Sequence, residues 1–249
     1  MSAATCVIQS CSPQQREGWM GRCVESVRDW SEQQGYDHHL LGDEMFRLLP
    51  DWYRGKVGKR LPVAADLARL LLIRRALEEK YECAIWFDAD VLIFDPALSL
   101  DFEGSCAFGL EIWVQEHEGR LAARRNVHNA VCVFRRGCVV LPFLIQTVES
   151  IIRRVHPDHI APQLVGPKLL TALHSLCDFE LLPEVGALGP AVCHDIAAGG
   201  GPALDLLRRK SEVKPKAVNL CASLAEPGLA ETVIDTLLAT VQHQDHARS

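Results

Sequence analysis

Apolar and polar residues alternate in blocks along the chain, and the block lengths predict alternating strands and helices. Residues 5–10, TCVIQS, make a short apolar run of strand length. The segment after it places Trp19, Cys23, Val27 and Trp30 at the spacing of one helical face, with Gly35 positioned to cap its end. YDHHLLGDE (36–44) reads as a second strand running into a loop. A β–α–β opening of this kind favours a parallel sheet. The basic, Gly/Pro-punctuated stretch 49–62 is expected to be a connection. VAADLARLLLIRRALEEK (63–80) is expected to be a helix with a wide apolar face, and YECAIWFDADVLIF (81–94) returns to strand character.

CAFGLEIW (106–113) and AVCVFRRG (130–137) also read as strands, and the polar segment 115–129 between them shows no hydrophobic period. Helices are expected over 140–155, 166–176 and about 227–242. AVCHD (191–195) reads as the end of a strand before the glycine-rich loop AAGGGP (197–202), and 243–249 as a frayed tail. There is no internal repeat, and no linker long enough to separate independent domains. The pattern therefore predicts one α/β domain over 1–249, with helices flanking a mixed, mostly parallel sheet.

Composition narrows the function classes. Hydrophobic residues make up 48% and charged residues 23%, ordinary for a globular protein, and the net charge of −6 argues against a nucleic-acid binder that relies on a basic surface. The first residues lack the basic and apolar blocks of a secretory signal, and no apolar run reaches the roughly 20 residues that span a bilayer. A cytoplasmic location is expected. The ten cysteines sit mostly within apolar runs, without CxxC pairs or zinc-finger spacing, and read as reduced core residues.

The chemistry concentrates in IWFDADVLIFDP (85–96), where Asp88 and Asp90 interrupt an apolar run. On a continuous strand, carboxylates at i and i+2 point to one face and repel, so one pKa rises unless a cation lies between them. Mg²⁺ and Mn²⁺ favour carboxylate oxygen and commonly bring phosphate oxygens with them. The C-terminal end of a strand in an open α/β sheet is also where ligands gather. The bland alternative, a solvated turn, fits poorly because VLIF follows Asp90 immediately.

An apolar strand ending in D-x-D, preceded by a helix with D-x-x-R (here Asp66 and Arg69), resembles the GT-A glycosyltransferases. The likeness is to retaining groups: glycogenin-like transferases, initiating α-mannosyltransferases and the large clostridial glucosylating toxins. It implies a single Rossmann-like GT-A domain, with 1–105 as a nucleotide-binding half and 106–242 serving donor sugar and acceptor. It implies that Asp88 and Asp90 hold Mn²⁺ or Mg²⁺ against the diphosphate of a nucleotide sugar, most simply a UDP-sugar, and that Asp66 and Arg69 reach the donor. VHNAVCVF (127–134) resembles the strand whose Asn bonds the donor sugar, which gives Asn129 that role, although Val stands where those families often have Gly. VGPKLLTAL (165–173) resembles a helix start facing the site, with Lys168 near phosphate.

The resemblance asks for a further metal ligand near the C-terminus. His194 is the candidate, with Asn219 and Ser223 of NLCAS as competitors; the family's H-x-x-G-x-K-P-W signature is absent. Gly199 and Gly200 are expected to offer backbone N–H groups to diphosphate, and Gln9 and Ser10 to contact the nucleobase. Glu111 is the acidic candidate near the anomeric carbon, or else a salt-bridged loop residue. The acceptor, a glycan, a lipid-linked precursor or a small molecule, would enter over 114–128 and the basic loop 54–60. Two rivals stand beside this reading. Haloacid-dehalogenase-like phosphatases also use D-x-D after an apolar strand, with the first Asp as nucleophile, but on their first strand. A catalytically silent GT-A-like binding protein is the other.

Overall fold

A computed structural model describes residues 4–177 and 179–246. The chain runs β1 (Thr5–Ser10), α1 (Pro13–Arg16), α2 (Trp19–Gln34), β2 (Asp37–Leu41), α3 (Asp51–Val57), α4 (Leu61–Glu79), β3 (Cys83–Phe87) and β4 (Val91–Ile93). It continues with β5 (Cys106–His117), β6 (Arg120–Arg135), α5 (Val140–Arg154), α6 (Pro167–Cys177), β7 (Glu180–Leu182) and β8 (Val185–Ala187). Then come α7 (Pro190–Ala197), α8 (Pro202–Lys210), β9 (Ala217–Asn219) and α9 (Pro227–His246). Single 3-10 segments cover Asp43–Leu48 and Pro157–His159.

The main sheet has the order β2-β1-β3-β6-β5-β7. β1 is parallel to β2 and β3, and β7 to β5, while β6 is antiparallel to both of its neighbours. This is the mixed, mostly parallel α/β sheet that the block pattern predicts. Residues on alternate sides of β1 and β3 meet different layers, which is why Cys6–Ile8 and Ala84–Phe87 are apolar on both faces. Cys6, Ile8, Ala84 and Trp86 pack with Leu67 and Ile73 of α4 and Leu144 and Val148 of α5. Val7, Ile85 and Phe87 pack on the other side with Val27 and Trp30 of α2. α2 closes at Gly35 in the left-handed conformation (φ 71°), as its position predicts.

A second, three-stranded sheet, β4-β9-β8, lies against the α2 side through Val91, Ile93, Val185 and Ala217. Its outer face buries Leu92 and Val218 against α7, α8 and α9, including Val192, Leu204 and Val233. No helix among the described residues is long and apolar enough to cross a membrane.

Four local expectations are corrected. The stretch 49–62 is not all connection: α3 occupies Asp51–Val57, with Tyr53 and Val57 buried one turn apart. The polar segment 115–129 is the distal part of a β5–β6 hairpin, turned at Glu118 and Gly119 with φ of 53° and 73°. Positive φ at both turn residues matches the twist of the paired strands, so two residues suffice. AVCHD is helical, in α7, whose Val192, Cys193 and Ile196 are buried at helical spacing. The expected tail is helical to His246, and 247–249 lie outside the described residues.

Candidate active site

The acidic pair sits where two sheets part. β3 ends at Phe87 in the main sheet, and β4 begins at Val91 in the small one. The residues between form a tight turn closed by the Val91 N–H donating to Asp88 O at 3.1 Å. Asp88 and Asp90 therefore do not share a strand face: the turn sends them to different partners. They lie at the C-terminal ends of parallel β1 and β3, where α2 and α4 leave on opposite sides of the sheet, the place such folds bind ligands.

Asp88 is held from the α4 side. Its Oδ1 accepts from Arg69 at 3.0 Å and from the Trp86 indole N–H at 2.6 Å, while Oδ2 takes part in neither bond. Arg69 is buried in α4. It also donates to Asn129 O at 2.6 Å and stands 3.4 Å from Asp66, and its guanidinium lies 5.4 Å from the centre of the Trp86 ring. Asp66, equally buried, accepts from Asn129 Nδ2 at 2.7 Å. Asn129 reaches α4 because β6 is displaced there: Phe108 of β5 pairs with Cys132, but the next residue, Gly109, pairs with His128. The residues in between bulge out of the β5 ladder.

Asp90 is held from the small sheet. Its Oδ1 accepts from Asn219 Nδ2 at 2.7 Å and its Oδ2 from the Ala222 N–H at 2.7 Å. Asn219 Oδ1 accepts in turn from the Cys221 N–H, and Cys221 holds a φ of 51° to close this turn. Among the described residues no cationic side chain is bonded to Asp90. Burial, followed by the charge of Asp88, pushes its pKa up to about 6. Asp66 is also pushed up to about 6, because burial outweighs the attraction of Arg69 and the Asn129 hydrogen bond. Glu111, half-buried on β5, accepts from Asn126 at 2.7 Å and is raised by burial. The Cys221 thiol, raised mainly by burial, also feels Asp90, Glu111 and Asp88, so these three carboxylates bear on one spot.

One guanidinium thus faces several carboxylates in a desolvated place, and the missing positive charge is what a divalent cation would supply. The donors are oxygens, which suits Mg²⁺ or Mn²⁺. Among the described residues no three His, Cys, Asp or Glu side chains form a metal-holding cluster, and His194 does not join the aspartates in one. It is exposed on α7, and the expectation that it ends a strand is corrected. Of its competitors, Asn219 reaches Asp90, while Ser223 lies in an exposed turn. A hard cation here would take its remaining ligands from water and phosphate, as Mg²⁺ commonly does.

The other expected residues are distributed around this centre. Gly166, whose added Cβ would stand 2.7 Å from Asp66 Oδ2, brings the start of α6 against the carboxylate, with Lys168 exposed in the first turn. Gln9 is buried near the end of β1; its Oε1 pairs with His38 Nε2 at 3.0 Å, and its Nε2 has no partner among the described residues. Ser10 Oγ donates to Gly42 O at 3.1 Å. Gly199 and Gly200 bond to α7, and their loop is closed by Asp195, which accepts from the Ala203 and Leu204 N–H groups at the start of α8. Sequence reasoning missed Trp86, Asn126 and the Ala222 N–H. The first stands two residues before Asp88 and was legible there.

A cavity of about 970 Å³ opens at the opposite edge of the sheet, near Thr5, Cys83 and Arg136. Its cations are engaged locally, Arg136 with Glu82 at 2.8 Å and Arg135 over Phe102 at 4.4 Å. Its lining does not include the Asp88–Asp90 turn, so volume alone does not mark the site.

Fold and acidic turn together define a mixed α/β domain whose strand-end edge carries paired carboxylates. No protein-family model and no curated protein matches the sequence. Among solved structures, the chain is similar to a glycosyltransferase involved in glycosylation of the major capsid of PBCV-1 (TM-score 0.51, 10% identity), over 93% of this chain and 98% of that one. It is also similar to apo WbbM, a bifunctional glycosyltransferase (TM-score 0.53, 11% identity), over 98% of this chain and 52% of that one. At these identities the likeness establishes a glycosyltransferase fold.

Proposed function

We propose that the chain is a metal-dependent glycosyltransferase that moves a sugar from a nucleotide-diphosphate donor, a UDP-sugar in the first instance, to a glycan, lipid-linked or small-molecule acceptor. The observation that carries this reading is the Asp88–Asp90 turn at the ligand edge of a glycosyltransferase fold, with Asp66, Arg69 and Asn129 joined to it in one buried network. Asp88 Oδ2, outside that network, and the carboxylate of Asp90 are the groups that would hold Mn²⁺ or Mg²⁺ against the donor diphosphate. The bound metal supplies Lewis-acid stabilisation of charge on the leaving diphosphate. Arg69 acts by fixing Asp88 and Asn129, since its guanidinium is spent on protein groups. Asn129 and Asp66 face the donor sugar, and Lys168 adds positive charge at the diphosphate. Gln9 and Ser10 line the base end, with Gln9 Nε2, unpartnered among the described residues, as a donor to a ring carbonyl. Glu111 lies toward the anomeric carbon. Retention at that carbon follows from the resemblance to retaining families.

The test is nucleotide release from a panel of UDP- and GDP-sugars with and without Mn²⁺. Sugar-dependent release that needs Mn²⁺ and disappears in Asp90→Ala is the expected result. Hydrolysis of p-nitrophenyl phosphate without sugar-nucleotide turnover would overturn it in favour of a phosphatase. Donor binding without turnover, across a range of acceptors, would make the chain a binding protein.

A further inference from the structure

A second chemical centre lies at the opposite edge of the sheet, away from the acidic turn. Cys106 opens β5, and Cys138 follows the exposed turn 135–137 that leads from β6 into α5. The register of the sheet pairs Cys106 with Phe134, which brings the start of β5 under that turn. The two thiols lie close enough for each to perturb the other's ionisation. The sulfur of Cys138 accepts from Ser105 Oγ at 3.3 Å and stands beside Val140 and Leu141 in the first turn of α5. The sulfur thus sits beside a second thiol and a hydroxyl donor, at the positive end of a 15-residue helix. These neighbours, led by Cys106, pull the Cys138 thiol well below its ordinary range, while Cys106 is raised. Burial pushes Cys6, Cys11, Cys23, Cys83, Cys132, Cys193 and Cys221 the other way. Both residues of the pair are buried, but Ser105, Gly137 and Val139 around them are exposed, so the sulfurs lie one layer below solvent.

We propose that Cys138 and Cys106 form an oxidisable thiol pair, in which Cys138 is the sulfur attacked by a peroxide and Cys106 the thiol that resolves it as an intrachain disulfide. The Cys138 thiolate attacks one peroxide oxygen and breaks the O–O bond, giving a sulfenic acid and hydroxide (or alkoxide). The Cys106 sulfur then displaces the sulfenic oxygen, which leaves as water with the Cys106 proton, and the S–S bond forms. Two thiols are oxidised and one peroxide is reduced. A stabilised thiolate beside a resolving thiol is the arrangement this chemistry selects. The proposal is independent of the sugar-transfer reading.

The experiment treats the full-length protein with a few equivalents of hydrogen peroxide, blocks the remaining thiols with an alkylating agent and maps peptides by mass spectrometry. The expected result is a Cys106–Cys138 cross-linked peptide that dithiothreitol reverses, while exposed Cys177 is still alkylated. Cys106→Ser is expected to accumulate a dimedone-reactive sulfenic acid at Cys138, and Cys138→Ser to lose both products. Oxidation of Cys177 ahead of Cys138, or no 106–138 cross-link in the wild-type protein, would overturn the proposal. The wild-type mapping decides this even if a variant fails to fold.

Discussion

Asp88 and Asp90 stand two residues apart and live in different electrostatic worlds. Asp88 belongs to the main sheet and its α4 side; it is partly exposed and shares the charge of Arg69 with Asp66. Asp90 belongs to the small sheet; it is half-buried like Asp88, but held by an amide and a backbone N–H that carry no net charge. Neutral donors satisfy a carboxylate's lone pairs but leave its charge uncompensated. One acid is therefore positioned by an ion pair, and the other is left as an electrostatic demand. That difference is what the proposed cation at the turn would answer, and a structural salt bridge would not show it.

The sharpest way to break the comparison is Asp90→Ala, which removes the uncompensated charge. A loss of metal-dependent sugar transfer on the order of 10²–10³-fold is expected, the range seen when a group serving a developing charge is removed. Nucleotide release measured across Mn²⁺ concentrations checks it, and activity within a few-fold of wild type would remove Asp90 from the site. Arg69→Met attacks the other half. It leaves Asp66 and Asp88 without a counter-charge, and breaking a buried pair from one side costs about 3–5 kcal/mol. At roughly 2–4 °C per kcal/mol for a chain of this size, the melting temperature should fall by about 10 °C. A shift under about 2 °C would mean that the ion pairs are incidental.

The two raised carboxyls predict an unusual pH dependence. Asp66 and Asp90 titrate near 6 in the folded chain and near about 3.9 unfolded. Between those values the folded state holds more protons, so stability falls as pH rises from about 4 to 6, by up to about 2–3 kcal/mol for each group. Below about 4 both states are protonated and this contribution is fully present. Denaturant unfolding at several pH values reads the slope. Asp66→Asn should flatten roughly half of it; an unchanged slope would show that Asp66 is ionised throughout.

How much of this was legible depended on sequence distance. D-x-D, D-x-x-R and Asn129 are each short local patterns, and the structure joins Asp66, Arg69, Asp88 and Asn129 through direct bonds. The end of the strand at Phe87 and its resumption as a new segment with VLIF were legible from the acidic pair; that the two segments belong to different sheets was not. Asn219 was named at the site only as a metal-ligand candidate; its hold on Asp90, shared with the Ala222 N–H, was hidden because both lie far along the chain and β9 is three residues long. α7 was misread because Val192 and Cys193 are adjacent, which fits strand and helix alike until Ile196 completes the period. The Glu118–Gly119 turn was a readable hairpin signal masked by the polar residues around it.

The smallest effect comes from paired glycine substitutions, one on each side of the turn. Gly166→Ala would place a Cβ 2.7 Å from Asp66 Oδ2 and 2.9 Å from Oδ1, so the carboxylate or the start of α6 must shift. Asp66 has little room, since it is buried and bonded to Asn129 and Arg69. A loss of about 1–3 kcal/mol is expected, as for overpacking elsewhere. Gly186→Ala in β8 meets Pro215 at 3.5 Å, an ordinary contact, and should change stability by under about 0.5 kcal/mol. The matched pair separates crowding of the carboxylate from the generic cost of replacing a glycine. If Gly166→Ala proved as mild as Gly186→Ala, the carboxylate must give way freely, and the rigid positioning of Asp66 by α4 and β6 would be wrong.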